Sequence, residues 1–169
     1  MAATNWFAGQ KGRASQLTQG TIIAWGYRTT ASTVNGTATD IGVIRLDNVA
    51  VVSGRSYSIR TNSLNPLSTV GTDNVRCQVR YRTDGTPAGI TDTALPGGQG
   101  YSAGNGGNWP TLTFDIQYIP SGNQTLSLLL CVARQAGSGS VNLFADGTRV
   151  TELKVMDCGI DVGNTAVNL

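Results

Sequence analysis

The feature that most restricts what this chain can fold into is a strict two-residue alternation of apolar and polar side chains. It is clearest over residues 74–83, where Val75, Cys77, Val79 and Tyr81 fall on one side and Arg76, Gln78, Arg80 and Arg82 on the other. A period of two belongs to a half-buried β-strand, not to a helix. Residues 21–29 repeat it, with Ile23, Trp25 and Tyr27 sharing a face. Residues 55–61 set Tyr57 and Ile59 inward, with Ser56, Ser58 and Arg60 outward. Residues 111–118 do the same with Leu112, Phe114, Ile116 and Tyr118 inward. Residues 124–134 are apolar on both faces after Leu128, which predicts the most buried strand.

Residues 41–52 are expected to carry one strand or two short ones, with a break near Asp47-Asn48; further strands are expected over 141–144 and 149–156, and a short one around 88–95. Turn signals separate these segments: Ser53-Gly54, Asp84-Gly85, Pro120-Ser121-Gly122-Asn123, Gly137-Ser138-Gly139 and Asp146-Gly147. Glycine accepts positive φ at no steric cost, and Asp bonds its own backbone, so these are turns with a mechanism. Residues 30–40, 62–72 and 86–109 read as loops. Eight or nine short strands at this spacing, with no helical period, predict an all-β fold. The expected form is a two-sheet antiparallel β-sandwich, jelly-roll-like, with an extended N-terminal arm.

The expected organisation is an N-terminal docking arm over 1–19, a β-sandwich domain over 20–158 and a C-terminal tail over 159–169. The arm shows no sustained period and carries Trp6, Phe7, Lys11 and Arg13. A tail gains nothing by exposing Trp and Phe, so docking onto a partner is the expected role of these four residues. At 169 residues the chain buries roughly 70% of its unfolded surface, enough to need no metal or disulfide staple.

Function classes fall away by composition. There is no histidine among the 169 residues. Ser-His-Asp and Cys-His catalysis and His-based zinc sites are excluded with it. A formal net charge of +2, with no Lys/Arg-rich run, argues against nucleic acid. No apolar run approaches the ~20 residues of a membrane span, and no secretory signal is visible, so a protein made soluble in the cytoplasm is expected. Cys77, Cys131 and Cys158 are an odd number, spaced too widely for a metal site. Buried reduced thiols are expected, and a Cys131–Cys158 bridge stays open.

The ten carboxylates are dispersed. Asp73, Asp92 and Asp115 are the set among which a facing pair would have to be sought. Nothing in their spacing argues for one, and the chain is expected not to be an enzyme, with no cofactor and no metal. The 104–109 segment is Gly-rich but lacks the Lys-Ser/Thr of a phosphate loop. Two surface features remain. Arg76, Arg80 and Arg82 form a stripe that could grip a neighbour's carboxylates or simply face solvent. Trp109, beside the Gly-rich loop, either closes the end of the sandwich or stacks on a sugar, with Tyr101 as a second stacking group in the latter case.

Several blocks carry a resemblance. Val51-Val52-Ser53-Gly54-Arg55-Ser56-Tyr57-Ser58-Ile59 is similar to a strand, small-Gly-Arg, aromatic-strand block of small β-sandwich virion proteins of tailed bacteriophages infecting actinobacteria. The run from Val75 to Thr86, the run from Leu126 to Arg134 with Gly137-Ser138-Gly139, and Val155-Met156-Asp157-Cys158-Gly159 are similar to later blocks. The opening Ala8-Gly9-Gln10, with Ala14-Ser15-Gln16-Leu17, resembles phage structural openings. The resemblance spans most of 8–163; Cys158 departs from the commoner Ile or Val. It implies a virion component and no catalytic residues.

The leading expectation is a capsid decoration (cement) protein that binds the outside of a phage head and stabilises it by mass action. Its partners would be the major capsid protein and copies of itself. A homotrimer would match a local threefold position on the capsid. It would assemble in the host cytoplasm and reside in the virion. The alternative is a minor tail or fibre protein binding host-surface glycan through Tyr101 and Trp109.

Overall fold

The computed structural model describes residues 20–62, 64–103 and 110–161. Ten strands run through them: β1 (Thr21–Arg28), β2 (Ile41–Val51), β3 (Arg55–Asn62), β4 (Asn65–Ser68), β5 (Asn74–Arg82), β6 (Ala94–Ala103), β7 (Asp115–Tyr118), β8 (Gln124–Ala136), β9 (Val141–Phe144) and β10 (Thr151–Ile160). No helix occurs among the described residues.

Two four-stranded antiparallel sheets pack face to face. The first has the order β1-β10-β3-β7 and the second β2-β8-β5-β6. A two-stranded pair, β4-β9, lies beside them. The protein is an antiparallel β-sandwich, as the alternation predicts. Inward residues of both sheets build one core: Val75, Cys77 and Val79 meet Leu126, Leu128 and Leu130 of β8, with Tyr57, Ile59, Leu153 and Val155 from the first sheet. Residues Leu126–Ala133 of β8 are buried throughout, and the doubly apolar strand lies inside its sheet, between β2 and β5.

The second face of β8 has its own cover. Leu129 and Cys131 point away from the main core and pack with Ala88, which belongs to the connection between β5 and β6. That connection explains one departure from expectation. Asp84-Gly85 does not close a tight hairpin. The chain instead bridges to Thr125 at Asp84 and crosses the outside of the sheet before β6 returns along β5. β6 therefore begins at Ala94 and runs to Ala103, not around 88–95. A second departure is β4, inside the segment read as a loop, which pairs with β9 through Asn65↔Phe144 and Ser68↔Val141. Its proline could not donate to a central ladder, and a short flanking pair tolerates that.

The loop over 30–40 is also more ordered than polarity suggests. Asn35 bridges to Val141, and its side-chain oxygen accepts from the Thr37 amide at 3.0 Å while its amide donates to the Thr39 carbonyl at 2.6 Å. The expected break in β2 is a bulge between Leu46 and Val49, where Asn48 takes φ 60°. At the β1–β2 contact Gly26 is required by close approach. A Cβ there would stand 2.8 Å from Ile44 Cγ2 and 2.9 Å from Leu46 Cδ2.

Candidate interaction surface

A sandwich offers two outer faces, and this chain treats them differently. On the second sheet, Arg76, Gln78 and Arg80 project from β5 by alternation, and all three turn onto one acceptor, Asp40. Asp40 closes the 30–40 loop just before β2, and its side chain is only 1% exposed. Arg76 Nη2 reaches Asp40 Oδ1 at 2.9 Å, and Arg80 Nε reaches Oδ2 at 2.7 Å. Gln78 Nε2 donates to the same carboxylate. Charge-assisted bonds of this kind satisfy a buried anion that would otherwise be costly. Arg80 also donates to the Asp92 carbonyl, tying down the 83–93 connection.

The Arg stripe is thus occupied within the molecule. Arg76 and Arg80 are part-buried and spent on Asp40. Arg82 pairs with Asp84 at 2.5 Å and with Asp92 at 3.6 Å. Sequence alone shows three guanidiniums on one face. It does not show that a carboxylate from well before β5, Asp40, folds over two of them.

The acidic set considered for catalysis is dispersed in space as well. Asp73 is buried and accepts from Ser68 Oγ at 2.6 Å and from the Ser138 and Gly139 amides at 2.9 and 2.8 Å. The Ser68 bond, then those two amides, hold its pKa below the usual carboxylate range. Asp115 accepts from Arg60 at 2.8 Å and Ser58 at 2.6 Å, which lower its pKa in that order. Asp92 accepts from the Gly89 amide at 2.7 Å. Each carboxylate has its own local donors on a different element. Among the described residues no group of three Cys, Asp or Glu side chains is placed to hold a metal ion.

The three cysteines are free: Cys77 and Cys131 are buried and Cys158 is partly so. Cys131 and Cys158 stand on strands of different sheets and do not pair. Burial pushes both buried thiols up, Cys131 to about 12.

The outer face of the first sheet has ion pairs of its own, Arg60–Asp115 and Glu152–Lys154, but its β1 edge is left bare. Trp25 and Tyr27 stand out from β1, more than half exposed, with ring centroids 5.1 Å apart. Beside them on β10, opposite in register, are Lys154 and Glu152, which pair with each other at 3.1 Å. Ile22 and Ile23 extend the apolar strip toward the start of β1, where the strand carries a bulge. Ile23 there borders a groove of about 560 Å³, with Val49, Val52, Tyr57 and the Arg55–Asp157 ion pair (2.7 Å) also in its lining. The sequence displays Trp25 and Tyr27 as an alternating pair. Nothing local says that their face points outward.

Trp6, Phe7, Lys11, Arg13 and Trp109 lie outside the described residues. Tyr101 is on β6, 47% exposed, with its hydroxyl bonded to Gln99. No helix among the described residues is long and apolar enough to cross a membrane. No protein-family model matches this chain, and no curated protein matches its sequence.

Proposed function

We propose that this protein is a structural component of a bacteriophage virion, a decoration protein that binds the outside of the head and stabilises it. The observation that carries the reading is the division of the surface. The charged groups of the described residues are largely engaged within the chain, while large apolar side chains stand exposed along one edge strand. A soluble domain seldom leaves aromatic side chains bare without a partner. The strand order adds to it. The pairs β1-β10, β2-β8, β3-β7 and β5-β6 nest one inside the next, and this nesting supports a jelly-roll reading, an architecture used by capsid and lectin domains. Fold alone does not give function, and the exposed strip supplies the surface argument.

Residues 1–19 precede β1 directly, and with Trp6, Phe7, Lys11 and Arg13 they are proposed as the arm that docks on capsid subunits. Deleting residues 1–15 is expected to leave the circular-dichroism spectrum and the melting midpoint of the domain unchanged and to abolish occupancy of purified capsids. Full occupancy by the truncated protein would refute the arm.

A minor tail protein binding host glycan is the second reading. Tyr101, exposed at the end of β6 next to the Gly-rich 104–109 segment, favours it. Immunogold labelling of virions separates the two, because the leading reading requires label on the head.

A further inference from the structure

Among the described residues the two sheets have four edge strands, and three of them carry features that block pairing with another chain. β7 is only four residues long, and its Asp115 is charged and exposed. β6 contains Pro96, which has no amide hydrogen, and Gly97 at φ 76°. β2 is bulged twice, carries the exposed Arg45–Asp47 pair, and has its Val43 carbonyl capped by Arg28 Nη1 at 3.2 Å. Short length, proline, bulges and charge are the ways a sheet edge is protected.

β1 has a bulge at its start and one charge at its end. After the bulge at Ile22/Ala24, residues Ala24–Arg28 run in regular register against β10. The strand contains no Pro, Lys, Asp or Glu. Its one charged residue, Arg28, is turned onto the carbonyls of Val43, Thr30 and Ala31. Among the described residues no strand pairs with its outer side. Among the described residues, four of the ten exposed large apolar side chains, Ile22, Ile23, Trp25 and Tyr27, belong to this one strand.

We infer that β1 is a homotypic pairing edge: a second copy of this chain lays its own β1 antiparallel alongside, across a twofold axis, to make one continuous eight-stranded sheet. Three observations favour a second copy as the occupant. The strip is free of unpaired charge, so setting it against itself creates no like-charge contact, and the neighbouring Glu152 and Lys154 neutralise each other as a polar rim. Antiparallel pairing centred on Gly26 puts the Trp25 of each copy opposite the Tyr27 of the other. The two-ring row then becomes a four-ring cluster of cross-strand aromatic pairs. The four side chains expose roughly 400 Å², about half of the ~800 Å² per partner of a standard interface. The strand backbone that an added antiparallel strand would cover adds to that area. Antiparallel self-pairing of one strand generates a twofold and not a threefold. The geometry therefore favours a dimer over the homotrimer expected for a capsid threefold. The inference does not rest on the virion reading, because it concerns the purified protein alone.

Sedimentation velocity of the full chain between about 1 and 100 μM tests it, a range in which standard-size interfaces saturate. The expected result is a dimer mass, weakened about tenfold or more by Trp25→Lys and, separately, by Tyr27→Lys, as befits central aromatic anchors. Two variants guard against one misfolding, and their circular-dichroism spectra should match the parent's. A monomer at 100 μM, a trimer, or a dimer unaffected by both folded variants would overturn the inference. So would a chain that is monomeric when intact and dimeric once residues 1–19 are removed, since that segment would then be what covers the edge.

Discussion

Asp40 organises the outer face of the second sheet from a position where the sequence shows only a loop residue. Two arginines and a glutamine on β5 converge on it, and the carboxylate is shut away from solvent. Removing one partner of a buried charge set leaves the others unpaired in a poor solvent. Asp40→Ala is therefore expected to cost about 3–5 kcal/mol, measured by urea unfolding. A cost below about 1 kcal/mol would mean that water replaces the carboxylate readily and that the cluster adds little. Arg82→Ala is the matched control. Its close partner, Asp84, is exposed, and Asp92 is 3.6 Å away, so the change should alter stability little.

At the scale of elements, the turn from β8 to β9 shows how a glycine and a buried carboxylate fix each other. Gly137 sits at φ 101°, and a Cβ there would lie 2.6 Å from Asp73 Cγ. Asp73 in turn accepts the Ser138 and Gly139 amides and so locks the turn to the end of β4. Gly137→Ala meets both a backbone penalty and a clash with the group that holds the turn. The expected loss is roughly 2–5 kcal/mol, visible as a lowered denaturation midpoint. The matched change at Gly122, where a Cβ meets open space, should be close to neutral. Equal effects at the two glycines would show that the Asp73 lock is not what constrains the turn.

For the whole molecule, pH dependence follows from which groups titrate. There is no histidine, so little stability change is expected between about pH 5 and 8. Asp73, Asp84, Asp115 and Asp146 all have pKa values depressed below 3.8, chiefly by hydrogen bonds from Ser68, Arg82, Arg60 and the Arg149 amide respectively. A depressed carboxylate stabilises the fold fully above its unfolded pKa and loses that contribution as pH falls through the folded value. Unfolding free energy should be level from about pH 8 to 5 and decline steadily below about pH 4. A midpoint of stability loss near pH 6 would contradict this account.

The all-β class, the inward faces of β3, β5 and β7, the deep burial of β8 and an irregularity near Asp47-Asn48 were all legible in the sequence. Each depends on side-chain alternation or on a residue's own backbone preference, which are local properties. The course of the 83–93 connection, β4, and the convergence of Arg76 and Arg80 on Asp40 were not. They are contacts between residues far apart in the chain, and no local pattern encodes them. The same holds for Trp25 and Tyr27. Alternation alone puts them on one face of a strand, while the packing of Gly26 against Ile44 and Leu46 turns that face outward. Period and turn chemistry act between neighbours, so the sequence by itself determines which segments are strands. Which faces are buried, which edges are closed and which charges meet depend on how the two sheets stack, and only the tertiary structure decides that.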